Sequence, residues 1–241
     1  YQRGAHFLQI PTTLLAQDDA SVGGKTAINH VMGKNMIGSF YQPHAVLIDV
    51  ETLKTLPERE FRAGLAEIIK YGLLVGGAFL DHLTDALKNG LNANSAELAA
   101  LIAQCCNIKA DYVVADETEQ GLRALLNLGH TVAHALESYT DYKVWLHGEA
   151  VAIGLYCAAL LSYHAGLANA SLVARVEQLL NYAQLPHKIP RFVDIAKLKQ
   201  FMMLDKKIKN NRLRFIVIKK PGDCAIDDSI TAECLDHTLN N

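Results

Sequence analysis

At 241 residues the chain is long enough for one large domain or two smaller ones. Half of its residues are hydrophobic, a fifth are charged and the net charge is -2, proportions that give no electrostatic reason to expect nucleic-acid binding. The five cysteines show no C-x-x-C spacing and fit reduced, packing thiols of a cytoplasmic protein, and no segment has the zones of a signal peptide. The most apolar stretch, residues 150–161, is too short to span a bilayer and reads as a buried helix, so no membrane association is expected.

The opening run HFLQIPTT is apolar and has no lead-in, which suggests that the chain begins inside a domain. FLQIP (7–11) and AVLIDV (45–50) are short apolar runs of the kind a buried parallel sheet requires. Between them, DDASVGGKTAINHVMGKN (18–35) gathers Asp19, Gly23, Gly24, Lys25, Lys34 and Asn35 into what reads as one ligand-binding loop. It is not a Walker A motif, because Asp19 stands where that motif needs glycine. After Pro57 helical periodicity runs to about residue 184, with breaks at 76–77, 88–94 and 140–144. Pro186 and Pro190 mark a loop, KLKQFMMLDKKIK (197–209) a helix, and RLRFIVIKKPGD (212–223) a strand ending in a Pro-Gly turn. The expected architecture is a partial Rossmann-like α/β layer, residues 1–57, followed by a mostly helical domain, residues 58–241.

Two segments carry the chemistry. Glu67 and Lys70 lie three residues apart within apolar FRAGLAEIIKYGLLV, so at least one charge should be partly buried and paired or metal-bound. RALLNLGHTVAHALE (123–137) reads as one helix that presents Arg123, Asn127, His130 and His134 as a stripe. Imidazoles are the commonest zinc ligands, and Glu67 and His147 are the nearest candidates to complete a site with the helical histidine pair. Lys109, Asp116, Glu119 and the 205–207 charge run read, each alone, as surface charges.

PTTLLAQDDASVGGKTAINHVMGKNMIGSFYQP, LKTLPERE, GLAEIIKYG, LRALLNLGHTVAHALE and WLHGEAVAIG, in that order, resemble the 3-dehydroquinate synthase family. The resemblance implies an NAD-binding α/β domain and a helical domain carrying zinc, with cobalt as a possible substitute. It places the metal on Glu67, His130 and His147, with His134 a polar neighbour rather than a ligand. Substrate contacts would fall to Asp19, Lys25, Asn35, Lys70, Lys109, Arg123, Asn127, His134 and Lys206. NAD would touch Thr12, Thr13, Asp19, Lys25, Lys34 and the turn Thr52, Leu53, Lys54, Thr55. The implied reaction turns a sugar phosphate, 3-deoxy-arabino-heptulosonate 7-phosphate, into 3-dehydroquinate and phosphate, in a cytoplasmic homodimer. A metal- and NAD-dependent polyol dehydrogenase and a non-catalytic metal-binding fragment are the competing readings; the many lysines and arginines argue against the former. Ala20 departs from the family's frequent serine, and the family's glycine-rich NAD loop lies upstream of this sequence. This chain alone should therefore bind NAD weakly and turn over little or not at all; submicromolar affinity in a calorimetric titration would overturn that expectation.

Overall fold

The computed structural model describes residues 5–30, 33–119, 121–204 and 214–241. The N-terminal part runs through β1 (Leu8–Gln9), a π-helical turn (Ala16–Ala20), β2 (Lys25–His30), β3 (Gly33–Phe40) and β4 (Ala45–Val46). β1 and β4 pair in parallel, Leu8 with Ala45 and Gln9 with Val46, as the apolar runs suggested. The ladder is only two residues long, however, and it is not buried: Leu8, Ile10 and Leu47 are all exposed. A parallel ladder is hidden only where layers cover both its faces. The stretch between these strands is likewise not a loop. β2 and β3 form an antiparallel hairpin with Lys25 opposite Phe40 and Ile28 opposite Ile37. The β-branched and apolar residues among the glycines were the missed signal.

A 3-10 turn (Val50–Thr55), capped by the Asp49 carboxylate accepting from Glu51 N at 2.9 Å, leads into the helical part. There α1 (Glu58–Val75), α2 (Gly77–Lys88), α3 (Leu98–Ala115), α4 (His130–Tyr139), α5 (His147–His164), α6 (Ala170–Tyr182) and α7 (Ile195–Leu204) follow one another, with breaks where glycine and polar runs place them. The expected helix from 197 to 209 is seen as far as Leu204, and 205–209 lie outside the described residues. β5 (Phe215–Lys220) turns through Pro221–Gly222 into β6 (Asp223–Asp227), and α8 (Ala232–Leu239) closes the described chain. The Pro-Gly turn blocks the end of α1: Gly222 N donates to Leu73 O at 2.9 Å.

Two helices form the centre. α5 is apolar on nearly every side, α1 is apolar apart from Arg62, Glu67, Lys70 and its charged first turn, and both are buried along most of their length, so neighbours surround both. Residues 150–161 lie in α5 and are buried throughout, as read. Among the described residues α3 is the helix long and apolar enough to cross a membrane. It nevertheless seats Leu98, Leu101, Ile102 and Cys105 in the core and buries Lys109. Leu14 and Leu53, from before residue 58, sit in the same core.

The segment 123–137 is not one helix. A 3-10 turn (Leu122–Asn127) ends at Leu128, Gly129 takes a left-handed conformation at φ +80°, and α4 starts at His130. Gly129 lies against α5, and a Cβ added to Gly154 would stand 2.0 Å from the Gly129 carbonyl oxygen. The break lets the backbone of one segment touch that of the other. Gly148 does the same where α5 begins, with its missing Cβ position 1.8 Å from Ala63 O of α1. A Gly154→Ala substitution should therefore cost about 1–3 kcal/mol by overpacking, read as a lowered urea midpoint; an unchanged midpoint would show that the contact can relax freely.

Candidate metal centre

The α1, α4 and α5 packing brings three side chains from distant parts of the sequence to one point. Glu67 projects from the middle of α1, while His130 and His147 are the first residues of α4 and α5. His130 Nε2 and His147 Nε2 stand 3.5 and 3.6 Å from Glu67 Oε1. One ligand atom from each residue lies within 4.8 Å of the others. Ligands bound at about 2.0–2.1 Å in a tetrahedron stand about 3.4 Å apart, so this donor set matches a divalent metal such as zinc with a position left open. Glu67 is fully buried, with the two imidazoles facing its Oε1. A buried carboxylate in that state needs a cation. Lys70 Nζ, at 2.5 Å from Oε2, supplies part of the charge.

The electrostatics separate the two imidazoles. Burial drives His130 down to about 4 despite the Glu67 charge, so it is neutral at pH 7. Burial also opposes charging of His147, but its bonds to Glu137 and Glu67 outweigh that and lift it to about 9. Burial would raise the Glu67 carboxyl, yet Lys70 and then His130 hold it well below the ordinary value. His134 lies one turn along α4, its ring 5.4 Å from that of His130 and 6.2 Å from that of His147. It falls outside the ligand cluster.

Next to the triad lies a buried ionic network. Asp19, from the π-helical turn, accepts from Tyr71 Oη and faces Lys109 Nζ at 3.0 Å and Lys70 Nζ at 3.5 Å. Lys109 also donates to Asp19 O at 2.7 Å. Lys109 is thus buried, not at the surface where its local sequence alone would put it. Burial opposes the Asp19 charge, but the two ammoniums hold the carboxyl well below its usual range. Burial likewise lowers the Lys70 ammonium, and Asp19 and Glu67 reverse this and raise it. Asp18, fully buried with both oxygens unbonded, is pushed well up, first by burial and then by Asp19.

The remaining expected residues fall into three groups. Lys25 pairs with Glu119, whose other oxygen accepts from Asn127 Nδ2, so one carboxylate ties the hairpin to the 3-10 turn before α4. Arg123 is buried, and its guanidinium donates to Gly23 O at 2.6 Å and Glu117 O at 2.5 Å. Gly23 suits glycine because its φ of +103° strains any other residue, and a Cβ there would also stand 2.8 Å from Arg123 Nη2. Asp116 Oδ2 receives Gly121 N and Arg123 N, which fixes that turn rather than serving as a free surface charge. On the expected cofactor side, Gln17 Nε2 donates to Pro11 O, Asp49 O and Thr52 Oγ1 at 3.0–3.1 Å, joining the Thr12–Thr13 and Thr52–Thr55 segments. Thr12, Lys54 and Thr55 are exposed, Thr13 and Thr52 partly so, and the Leu53 side chain is in the core. Lys34 and Asn35 lie on β3 with side chains outside the described ones, and Lys206 lies outside the described residues. The sequence reading missed Gln17, Asp18, Tyr71 and Glu137, of which only Asp18 and Tyr71 adjoin a residue it had singled out, and it took Glu119 for a surface charge.

The described chain thus joins a small α/β part to a mostly helical part in which a carboxylate and two imidazoles converge beside a buried lysine network, a donor set suited to a divalent metal. Residues 64–208 match the sequence profile of the 3-dehydroquinate synthase C-terminal domain, and residues 1–63 that of the N-terminal domain. The chain belongs to the 3-dehydroquinate synthase family. It is 67% identical to the 3-dehydroquinate synthase of Legionella pneumophila strain Paris over all its 241 residues, spanning 65% of that protein's length. The solved 2-epi-5-epi-valiolone synthase of Streptomyces hygroscopicus subsp. jinggangensis, with NAD+ and Zn2+ bound, superposes with a TM-score of 0.88 at 25% identity, covering 100% of this chain and 67% of that one. A 2-deoxy-scyllo-inosose synthase complexed with carbaglucose-6-phosphate, NAD+ and Co2+ gives 0.88 at 26% identity over 99% of this chain and 68% of that one.

Metal must displace the proton that His147 carries below about pH 9. Zinc affinity should accordingly rise about tenfold per pH unit through neutrality and level off above about pH 9. Calorimetry at pH 7 in buffers of different ionisation enthalpy should report the released proton; pH-independent affinity would contradict this protonation of the metal-free site.

Proposed function

We propose that this chain provides the metal- and substrate-binding machinery of a 3-dehydroquinate synthase, which converts 3-deoxy-arabino-heptulosonate 7-phosphate into 3-dehydroquinate and phosphate. The observation that carries the reading is the meeting of Glu67, His130 and His147 with ligand atoms within 4.8 Å of one another. On this reading residues 1–57 complete the NAD-binding α/β domain and residues 58–241 form the helical metal domain. The parallel β1–β4 ladder and the profile boundary at 63–64 support that division. The metal- and NAD-bound relatives support zinc or cobalt as the ion and NAD as the cofactor. The free cysteines are in keeping with the cytoplasm; a homodimer is taken from the family resemblance.

When bound, the metal would supply Lewis acidity toward a substrate hydroxyl and NAD a reversible hydride acceptor, with no net redox change. The chain's residues do the rest. Glu67, His130 and His147 hold the ion. Lys70 and Lys109, fixed by Asp19, present buried positive charge suited to the carboxylate and phosphate of a sugar phosphate. Lys25 reaches the same ligand on giving up Glu119, and Arg123 holds the Gly23 backbone that brings the hairpin against Lys109. His134 and Asn127, on either side of His130 in the sequence, steer proton transfer, with the substrate's own phosphate available as a base. The Thr12–Thr13 and Thr52–Thr55 segments, with Lys34, face the cofactor, and Asn35 and Lys206 complete the substrate contacts.

Phosphate release by the full-length protein with NAD and Zn2+ tests this. His147→Ala should abolish bound zinc and turnover together, whereas His134→Ala should retain zinc and lower kcat by about 10²–10⁴-fold. Net NADH accumulation from glycerol-like alcohols without phosphate release would instead identify a polyol dehydrogenase. Loss of zinc in His134→Ala would exchange the roles of the two α4 histidines.

A further inference from the structure

Both imidazoles of the centre are held from behind, and by different groups. His130 Nδ1 lies 3.1 Å from the main-chain oxygen of Leu128, two residues back across the left-handed Gly129. His147 Nδ1 lies 3.1 Å from the Oε1 of Glu137, a carboxylate on α4. Glu137 is two helical turns beyond His130 and only 3% exposed. Its main-chain oxygen accepts from Tyr142 N at 2.8 Å, fixing the chain that leads from α4 to His147. A buried carboxylate is costly, and a surface ion pair between helices would not require one.

We infer that Glu137 is a positioning residue for the metal centre, holding His147 by Nδ1 so that Nε2 faces Glu67 and the ion. The inference rests on Glu67, His130 and His147 being the ligands. A neutral imidazole carries one proton, and an acceptor at Nδ1 keeps it there, leaving the Nε2 lone pair for metal. A carboxylate also makes that bond charge-assisted, which a main-chain carbonyl does not, so His147 becomes the stronger donor of the pair. α4 thereby supplies one ligand directly and sets the direction of another.

The test loads the chain with Co2+ and measures affinity by chelator competition together with the visible absorption of the bound ion. Glu137→Gln keeps the shape and an acceptor oxygen but removes the charge; Glu137→Ala removes both. Affinity should fall about tenfold in Glu137→Gln and about a hundredfold in Glu137→Ala, with a shifted Co2+ band in each. Thermal unfolding of the metal-free proteins identifies any variant that fails to fold, and the near-isosteric Gln variant then decides the matter. If wild type binds Co2+, His147→Ala does not, and Glu137→Gln matches wild type in affinity and spectrum, Glu137 merely braces two helices and the inference is wrong. If wild type itself does not take up Co2+, the assignment of the three ligands fails and this inference goes with it.

Discussion

One fully buried carboxylate, Glu67, constrains the helical part of this protein more than any other group. It lies on α1, one of the two central helices, with a lysine at one carboxylate oxygen and two imidazoles at the other. In a low-dielectric interior such a group is tolerable only when cations face it. Lys70 in turn faces Asp19, and Asp19 faces Lys109, so the charge compensation passes from α1 to the π-helical turn and on to α3.

The two histidines reach this carboxylate because both begin helices, and both helices are placed by glycine. Gly148 allows α5 to start against α1, and the Gly129–Gly154 contact sets the start of α4 against the flank of α5. Arg59 adds a bidentate pair with Glu149 at 2.7 Å, and Glu149 also accepts from Leu146 N, which secures the first turn of α5. Thus the spacing of imidazoles and carboxylate follows from backbone contacts, with little left to side-chain adjustment.

The sequence made the helical part readable because its breaks are chemical: Gly76–Gly77, the polar run after Lys88 and the turn before Val144 interrupt an otherwise regular pattern. The family motifs pointed to Glu67, His130 and His147 as a set, whereas periodicity alone favoured the adjacent pair His130 and His134. The pair lies within α4, but the longer stripe from Arg123 and Asn127 assumed one continuous helix across Gly129, and a left-handed glycine is silent in a count of apolar positions. The hairpin was hidden in the same way, since Gly23, Gly24, Gly33 and Gly38 suggested a loop while the residues between them were pairing. The contacts of Glu119, read as a surface charge, and of Glu137 were not legible. Each acts by touching a residue far from it in local pattern, Lys25 in one case and the start of the next helix in the other.

The short π-helical turn carries Gln17 and Asp19 two positions apart, with the former bound to the Pro11 and Thr52 segments and the latter to the lysines. Both ends of this turn are anchored, so it cannot rotate to suit one neighbour without disturbing the other. The threonine-bearing segments and the ammonium groups therefore behave mechanically as one part, and their relative distance is inherited from a single five-residue piece of backbone.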